Sequence, residues 1–445
     1  MPVILNNIDQ VSRVVKESGQ TFNLEHLKEA TVLVVGGGGR EHAIVDALSR
    51  SPLTGKIYCA PGNAGIALQA ECVPIADHDV DALLSFAESH GVDLTVVGPE
   101  VPLSAGIADA FRAAGKRIFG PSAAAARIES SKDFAKRLMS KYGVPTASYR
   151  TFEDFGEALA YVRSRPFPQV LKYDGLAAGK GVTIPQNLEE AEADLRSMLL
   201  EDRFGKGKVV VEEFLEGPEF SLLALVDGER VFPLAPSQDH KRAFEGDRGP
   251  NTGGMGAYSP VPFITEEDTD YAVKHIMEPV AKGLAAEGCP FRGLLYGGLM
   301  KTRDGIKVIE FNCRFGDPET EVVLPRLESD FYRMLSAVAD GTGMPEIRWS
   351  KSATLGFVLA SEGYPGRCRK GLPLELPEQL PEGVRIYHMG TASGDGGLRT
   401  AGGRVLMVVG SGDDLAQARA KALSVTRGIC RPGLFYRSDI GSQAL

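Results

Sequence analysis

Residues 307–320 carry the side chains whose types and spacing are best suited to chemistry. The stretch reads KVIEFNCRFGDPET, and most of it alternates between apolar and polar residues, which is the period of a half-buried strand. Glu310, Asn312 and Arg314 would then stand in a row on one face. A carboxylate and an amide oxygen two residues apart suit a hard cation such as Mg2+, which takes oxygen ligands and keeps positions for phosphates. Arg314 could hold a phosphate or a carboxylate beside the cation, although the same alternation is also usual on a solvated strand face.

The neighbouring sequence indicates how this row is held. Two strand-like segments, 294–301 and 306–312, are joined through Asp304-Gly305, which is a strong hairpin signal. The row is therefore expected within a sheet and not on a free loop. After the strand, Asp317 and Glu319 add two more carboxylates.

From residue 31 the pattern changes to alternating strands and helices. Strands are predicted at 31–35, 56–60, 94–97 and 117–119, and helices at 40–50, 81–90 and 105–114. This alternation predicts a parallel, doubly wound sheet that binds ligands at the carboxyl ends of its strands. The candidate ligand residues at those ends are Gly38, Gly39, Arg40, Asn63 and Glu100.

The glycines at 36–39 do not have dinucleotide-binding spacing. In G-x-G-x-x-G the last glycine would fall on Glu41 or His42, and the second strand lacks the acidic residue that would hold a ribose 2'-hydroxyl. An NAD-dependent oxidoreductase is therefore disfavoured. A glycine turn at the start of a helix still binds phosphate through backbone N–H groups, so a phosphorylated sugar fits. A tight turn whose glycines are needed only for packing is the alternative.

The next segment offers side chains for a nucleotide. Residues 123–142 are predicted to form a helix that carries Lys132, followed by a domain boundary at 143–145. Lys172 and Lys180 accompany three glycines between two predicted strands, with spacing that does not fit the P-loop pattern. We interpret this stretch as a flap over a triphosphate, with surface lysines in a hairpin as the alternative.

Two further segments have polar groups that a ligand could use. A strand at 209–213 runs into an acidic turn whose groups could contact an adenine, and Glu219 could bind ribose hydroxyls. Residues 237–256 form a long polar, glycine-rich passage, and such loops are usually functional or disordered. Within it we give Asp239 and Lys241 the same standing as the histidine between them, because a lone histidine in a loop is more often only a hydrogen-bonding group.

The third predicted domain begins after residue 340. Strands are predicted at 355–360, 384–388 and 404–409, and a helix at 414–427. No constellation of catalytic residues is recognisable there, so we interpret this part as a lid or packing domain.

Composition limits the class of protein. The 445 residues allow about three domains, and 43% hydrophobic with 24% charged residues is typical of a globular protein. A net charge of −9 disfavours nucleic-acid binding through the phosphate backbone. No apolar run approaches membrane-spanning length, the first 30 residues resemble no targeting signal, and six scattered cysteines indicate a reducing cytosol. We therefore expect a cytoplasmic monomer that binds neither nucleic acid nor a membrane.

Four stretches together resemble the glycinamide ribonucleotide synthetases, also called phosphoribosylamine-glycine ligases, which belong to the ATP-grasp ligases. These stretches are 37–43, 174–181, 237–259 and 310–320. The resemblance implies an α/β fold, with a doubly wound, phosphoribosylamine-binding domain at 31–130 and a two-lobed ATP-grasp region at 131–340 whose mobile lobe lies near 145–215. A small C-terminal α+β domain would follow at 341–445. Residues 1–30 form an extension without a counterpart in the family.

The resemblance implies that ATP is cleaved to ADP and phosphate while glycine joins 5-phosphoribosylamine through glycyl phosphate, in early purine synthesis. The residues implied to contact ATP are Lys132, Lys172, Lys180, Glu212, Glu213, Leu215 and Glu219. Glu310 and Asn312 would hold Mg2+ or Mn2+. We assign the acyl phosphate to a site made of Arg314, Asp317, Glu319, Asp239 and Lys241. The other implied substrate contacts are Gly38, Gly39, Arg40, Asn63, Glu100 and Asn251.

Two rival functions remain to be separated from this one. Another ATP-grasp ligase, such as a biotin carboxylase or a carboxyaminoimidazole ribonucleotide synthetase, would share the architecture. The biotin carboxylase type places a second metal carboxylate on the preceding strand, and residues 294–300 contain none. A non-catalytic nucleotide sensor is disfavoured by the intact row of Glu310, Asn312 and Arg314.

Overall fold

The N-terminal sheet is parallel, and its central strand is buried on both faces. The computed structural model describes residues 29–175, 181–201, 205, 207–394 and 396–445. The first strands are β1 Ala30–Gly36, β2 Thr54–Pro61, β3 Glu71–Cys72, β4 Leu94–Val97 and β5 Ile118–Phe119, in the order β3-β2-β1-β4-β5. Helices α1 Gly39–Ser49, α2 Val80–Ser89, α3 Glu100–Ser104 and α4 Ile107–Ala113 and a short 3-10 turn, Ile66–Leu68, connect them. The predicted doubly wound sheet is confirmed.

Two helices follow where one was predicted. They are α5 Ala123–Ser130 and α6 Lys132–Lys141. Ser131 interrupts them with extended backbone (φ −130°, ψ 109°), and its hydroxyl accepts a hydrogen bond from Phe134 N. The prediction of a continuous helix over 123–142 was wrong because serine satisfies a free N–H group better as an N-cap than as a residue inside a helix.

An antiparallel sheet with two helices forms what we call the small lobe. Its elements are β6 Tyr149–Phe152, α7 Phe155–Arg163, β7 Gln169–Tyr173, β8 Val182–Thr183, α8 Leu188–Leu199 and β9 Val209–Glu213. The strand order is β6-β9-β7-β8. The predicted glycine-rich flap connects β7 to β8, and its residues 176–180, including Lys180, lie outside the described residues.

A second antiparallel sheet carries the polar row. The strands from 219 to 312 are β10 Glu219–Gly228, β11 Arg230–Pro233, β12 Gln238–Asp239, β13 Arg242–Phe244, β14 Arg248–Asn251, β15 Gly256–Ser259, β16 Phe291–Thr302 and β17 Gly305–Asn312. The sheet has the order β11-β10-β16-β17 and is covered by α9 Glu266–Ala272, a π-helical turn Val273–Met277 and α10 Glu278–Ala286. The predicted hairpin of β16 and β17 is confirmed, with its turn at Arg303-Asp304 because Gly305 already pairs with Thr302.

The C-terminal sheet contains strands from two parts of the chain. The elements from residue 320 onward are α11 Thr320–Val323, a 3-10 turn Leu324–Arg326, α12 Phe331–Asp340, β18 Ala353–Ser361, β19 Val384–His388, β20 Thr391–Gly394, β21 Gly397–Thr400, β22 Arg404–Gly412, α13 Leu415–Ile429, β23 Leu434–Phe435 and a 3-10 turn Ser442–Ala444. Of these, β20 and β21 form a separate two-stranded sheet. The order in the C-terminal sheet is β12-β15-β18-β22-β19, with β23 also on β18.

We predicted a loop at 237–256, and this prediction was wrong because the passage contains short strands. Its first and last strands, β12 and β15, extend the C-terminal sheet, and β13 pairs with β14 as a hairpin. Strands of two to four residues are too short for a period to be read. The predicted strands and helix after residue 340 are confirmed. No helix in the described part of the chain is both long and apolar enough to cross a membrane.

Candidate active site

A cleft of about 890 Å³ lies between the small lobe and the sheet that carries the polar row. The predicted site residues that line it are Arg40, Glu100, Lys132, Lys172, Glu212, Glu213, Leu215, Glu219, Asp239, Lys241, Asn251, Glu310, Asn312, Arg314, Asp317 and Glu319. Gly38, Gly39 and Asn63 do not line it. The fold thus brings together residues that are up to about 280 positions apart in sequence.

Glu310 lies at the centre of a group of charged side chains that also includes Lys241 and Glu219, and we call this group the charged wall. Glu310 Oε1 is 3.7 Å from Lys241 Nζ, and the same amine is 3.6 Å from Glu219 Oε2. Burial raises the pKa of Glu310, but the cations Lys241, Lys172, Lys132 and Arg314 outweigh burial and lower it to about 2. The carboxylate is therefore ionised at any physiological pH.

The residues of the row fit a divalent cation. Ionised Glu310 and the amide of Asn312 face the same cleft from alternate positions of β17. Among the described residues, no group of three or more His, Cys, Asp and Glu side chains could hold a metal. A cation here would therefore take one carboxylate, one amide and the oxygens of a bound ligand, which is the coordination that Mg2+ favours over an all-protein cage.

A β-bulge beside Glu310 connects the two sheets. The pairing of β16 and β17 shifts register so that Ile309 has no partner, and its carbonyl accepts a hydrogen bond of 2.7 Å from Lys172 Nζ in the small lobe. Bulges re-aim side chains and free backbone groups. The bulge thus sets the direction of Glu310 and gives Lys172 a fixed anchor.

Lys136 belongs to the same charge cluster and was missed from the sequence. Glu212 lies between two buried amines, 2.9 Å from Lys136 Nζ and 3.0 Å from Lys172 Nζ. Burial lowers the pKa of Lys136 to about 8, against the pull of Glu212. Lys136 is four residues after Lys132, so their shared helix face was a signal that could have identified it.

Glu213 and Lys132 line the same cleft but have other partners. Glu213 Oε1 accepts a 3.0 Å hydrogen bond from Ser148 N and lies 3.8 Å from Lys307. Lys132 Nζ donates to the carbonyls of Glu129 (3.0 Å) and Gly175 (3.2 Å), which places it under the base of the flap.

Two arginines converge on Glu100 at the opposite end of the cleft. Arg314 Nε is 3.4 Å and Arg40 Nη2 is 3.7 Å from Glu100 Oε2. Arg314 also lies 3.3 Å from Glu129, a buried residue that we did not predict and that accepts the N–H of Cys313. Although burial opposes it, Glu129 and Glu100 raise the pKa of Arg314. Arg314 and Arg40 therefore offer fixed positive charge to an anion.

The glycine turn at 36–39 holds a carboxylate of the chain itself. Buried Glu41 accepts a 2.6 Å hydrogen bond from Gly38 N and a 2.6 Å hydrogen bond from Arg40 Nε. A Cβ at Gly36 or at Gly98 would overlap this side chain. Gly38 N is thus already bonded to Glu41 at the start of the helix, which agrees with the packing alternative. The predicted phosphate contact of the turn stays a prediction.

Asn63 also has a structural position. Its amide nitrogen donates to the carbonyls of Gly37 (2.9 Å) and His388 (2.8 Å), and its oxygen accepts from Gly65 N and Ile66 N. These four bonds use the full capacity of the amide. The geometry does not support the predicted substrate contact, and Asn63 instead ties the turn to the C-terminal sheet.

Asp239 and Glu319 line the cleft together with Lys241. Burial raises the pKa of Asp239 to about 8; Lys241 opposes this shift, and neighbouring carboxylates such as Glu319 add to it. Buried Glu319 accepts hydrogen bonds from Tyr296 (2.9 Å) and Ser221 (3.1 Å). Its carboxylate is thus held from behind.

His240, by contrast, has its contacts on the C-terminal side. Its backbone N–H donates to Gly256 O, and its Nε2 accepts from Gly441 N at 3.4 Å. Burial, with Arg437, lowers its pKa to about 4. Neutral imidazole in backbone contacts agrees with the expectation of a hydrogen-bonding group.

Arg404 is a further functional candidate that the sequence did not reveal. It comes from β22 of the C-terminal sheet, lines the cleft, and its Nη1 lies 2.8 Å from Asp317 Oδ1 and 2.8 Å from Gly253 O. No motif surrounds it in the sequence. Our interpretation of the C-terminal part as a lid or packing domain was therefore incomplete.

Three family models match consecutive parts of the chain. They are described as phosphoribosylglycinamide synthetase N domain, ATP-grasp (A) domain and C domain, and they match residues 30–129, 130–320 and 354–443. Together they span most of the chain.

Individual proteins agree with these matches. A phosphoribosylamine-glycine ligase of Listeria innocua is 52% identical over 93% of this chain and 99% of its own length. The crystal structure of a phosphoribosylamine-glycine ligase from Thermotoga maritima has a TM-score of 0.82 and 34% identity, over 92% of this chain and all of that one. The biotin carboxylase domain of Hydrogenobacter thermophilus 2-oxoglutarate carboxylase, solved with MgADP and bicarbonate, has a TM-score of 0.70 over 92% of each chain. Its 16% identity reflects a shared fold alone.

Proposed function

The chain belongs to the phosphoribosylglycinamide synthetase family, and from this premise we propose how its cleft joins glycine to 5-phosphoribosylamine with cleavage of ATP. The observation that carries the proposal is the arrangement of Lys172, Lys241 and Arg314 around Glu310 in one cleft. Such a site neutralises phosphate charge at one end and holds a carboxylate at the other. Those are the two requirements of an ATP-dependent carboxylate-amine ligation.

The nucleotide lies along the small lobe. Lys172 and Lys132 face its phosphates, with the adenine near Leu215 and Glu213 at the end of β9. Glu219, 45% exposed and close to Lys241, is free to accept hydrogen bonds from ribose hydroxyls. Lys180, from the flap, is assigned to the same phosphates by the family resemblance.

The metal site is the row on β17. Glu310 and Asn312 would hold Mg2+ or Mn2+. When bound, the cation neutralises charge on the terminal phosphates and polarises the bond that breaks. The chain's own contribution is to keep Glu310 ionised, through the surrounding lysines, and to aim it through the bulge at Ile309.

The first step activates the carboxyl group of glycine. A carboxylate oxygen attacks the γ-phosphorus of ATP, the bond to the β-phosphate oxygen breaks, and glycyl phosphate and ADP form. Arg314, fixed by Glu100 and Glu129, orients the attacking carboxylate. Lys241 neutralises charge on the transferring group from the opposite wall.

The second step forms the amide. The amine of phosphoribosylamine attacks the acyl carbon, the C–O bond to phosphate breaks, and the nitrogen loses a proton as inorganic phosphate leaves. Arg40 and Glu100 line the cleft from the N-terminal domain, and we assign the sugar phosphate to this side. Asn251, on β14, also lines the cleft and is assigned to the same substrate by the family resemblance. Asp239, Asp317 and Glu319 surround the reacting carbon.

Phosphate release tests this assignment. We would measure it with ATP, Mg2+, glycine and freshly generated phosphoribosylamine, for the parent and for Glu310→Gln. The variant should lose at least about 1,000-fold in turnover, because it removes the ionised ligand while keeping the shape of the side chain. Glu278→Gln, an exposed carboxylate paired with Lys282 on α10, is the matched control and should retain parental turnover.

Two results would contradict the proposal. Parental protein that releases phosphate equally well without glycine or without phosphoribosylamine would not be this ligase. Full activity in Glu310→Gln would show that the metal assignment is wrong, even if the overall reaction is as proposed.

A further inference from the structure

The C-terminal sheet reaches into the cleft through two side chains that hold one loop. In the loop 252–255, Gly253 N donates a 3.0 Å hydrogen bond to the hydroxyl of Tyr364, and Gly253 O accepts a 2.8 Å hydrogen bond from Arg404 Nη1. Both groups of a single peptide segment are therefore bound by the C-terminal domain. Such double anchoring fixes the loop in position and in orientation.

Arg404 binds a second segment of the site with the same nitrogen. Its Nη1 lies 2.8 Å from Asp317 Oδ1 and donates to Asp317 O at 3.1 Å. Gly254, at φ +115°, packs its backbone directly against Pro318, so that any Cβ there would overlap the proline ring. The guanidinium thus joins the loop to the turn after β17 where the two segments touch.

The loop carries this fixed position on to Lys241. Both the N–H and the hydroxyl of Thr252 donate to Lys241 O, at 2.7 and 2.8 Å. Lys241 in turn approaches Glu310 and Glu219. A continuous chain of contacts therefore runs from the C-terminal sheet to the charged wall.

These contacts do not involve the side chains that we assign to the nucleotide. Within the described part of the chain, the hydrogen bonds and ion pair of Arg404 and Tyr364 do not reach Lys172, Glu212 or Leu215. Arg404 is mostly buried, and although burial alone would lower its pKa, Asp317 raises it, so the cation is permanent. Removing that charge would leave Asp317 without its partner and release the loop, but would leave the nucleotide contacts in place.

We propose that Arg404 and Tyr364 are positioning residues of the ligase site, which set the distance between Lys241 and Asp317 for the acceptor half of the reaction. The inference rests on the proposed function. It gives the C-terminal domain a role in amide formation that is separate from nucleotide binding. A residue that only stabilised the fold would affect amide formation and nucleotide binding alike.

The experiment separates the kinetics of the acceptor substrates from the affinity for the nucleotide. For the parent, Arg404→Gln, Arg404→Lys and Tyr364→Phe, we would measure kcat and the KM values for glycine and phosphoribosylamine, and the dissociation constant of a non-hydrolysable ATP analogue. Arg404→Gln should lower kcat/KM for the acceptor substrates about 100-fold, because a buried ion pair and its hydrogen bonds are lost. Tyr364→Phe should lower it about 5-fold through the loss of one neutral acceptor. Arg404→Lys, which keeps the charge, should fall between them, and the affinity for the analogue should stay within about 2-fold in all three.

A matched arginine of the same domain provides the control. Arg419 also donates to backbone carbonyls, those of Ile440 and Ser438, but it does not line the cleft. Arg419→Gln should lower thermal stability without separating acceptor kinetics from nucleotide affinity.

Several results would overturn the inference. Acceptor kinetics within about 2-fold of the parent in both Arg404→Gln and Tyr364→Phe would do so, as would a parallel loss of nucleotide affinity or an equal effect of Arg419→Gln. If Arg404→Gln does not fold, Arg404→Lys and Tyr364→Phe decide the question by the same criteria. A parent without ligase activity would instead refute the proposed function, which distinguishes the two failures.

Discussion

The two walls of the cleft are built from different lengths of chain. The nucleotide wall takes its buried charges, Lys136, Lys172 and Glu212, from three neighbouring elements, α6, β7 and β9, and these charges pair with one another. The acceptor wall takes Arg40 from α1 beside the N-terminal sheet, Asp317 from the turn after β17 and Arg404 from the C-terminal sheet, and its charges meet across contacts between domains.

This difference has a functional consequence. The charges of the nucleotide wall pair directly with one another, so their geometry depends on short contacts within a single cluster. The acceptor wall is assembled from three parts of the chain, so it keeps its geometry only while those parts keep their relative positions. Changes on the nucleotide wall should therefore alter ATP use, whereas changes on the acceptor wall should alter the use of glycine and the amine.

The largest effect within this comparison is expected for Lys172→Met. Lys172 is paired with Glu212 and anchored on Ile309 O, so its loss removes a phosphate contact and leaves Glu212 with one buried cation. We expect kcat/KM for ATP to fall about 1,000-fold, measured by ADP formation at saturating glycine and amine.

The control for this change is Lys141→Met. Lys141 is an exposed lysine of α6 that pairs with Glu287, and its loss should leave kcat/KM for ATP unaltered. A Lys172→Met enzyme whose affinity for ATP is normal while its KM for glycine rises would reverse the assignment of the walls.

A smaller and opposite pattern is expected for Arg314→Lys on the acceptor wall. Lysine keeps the charge but cannot contact Glu100 and Glu129 at once with a planar fork. We expect kcat to fall about 100-fold with parental ATP affinity, measured by steady-state kinetics and equilibrium nucleotide binding. Arg50→Lys, at an exposed guanidinium near Asp46, should have no such effect; a loss of ATP affinity in Arg314→Lys would remove the distinction between the walls.

The same contrast explains what the sequence could predict. Glu310, Asn312 and Arg314 were found because alternation along one strand places them on one face, which is a local property. Arg404 and Glu129 reach the site only through the packing of distant elements. No spacing in the sequence records that packing.

Local competition caused a further error. Ser131 was placed inside a helix, although its hydroxyl is better satisfied as a cap for the next helix. The glycine turn shows the same kind of competition, because Gly38 N donates to Glu41, only two residues beyond the turn. A short-range hydrogen bond within the chain can thus compete with a motif, and the motif alone gives no measure of that competition.

The smallest effect concerns a buried carboxyl group on the acceptor side. Glu321, in α11, is fully buried, and among the described residues neither of its carboxylate oxygens has a hydrogen-bond partner. Its oxygen occupies the space where a Cβ of Gly39 would lie. Glu319, two residues earlier, is equally buried but accepts hydrogen bonds from Tyr296 and Ser221. The two glutamates therefore form a matched pair, one without and one with partners.

Burial, reinforced by Asp317, raises the pKa of Glu321 well above its ordinary value of 4.5. The folded state therefore keeps a proton that the unfolded state releases above about pH 4.5, and the free energy of unfolding falls as pH rises from there. Glu321→Gln removes this loss, so urea unfolding at pH 8 should show a gain of about 1–3 kcal/mol over the parent, and the gain should shrink toward pH 4.5. Glu319→Gln should instead lower stability at pH 8, because it replaces a satisfied carboxylate. A gain for Glu321→Gln that does not change between pH 4.5 and 8 would mean that its acid is not held neutral by the fold.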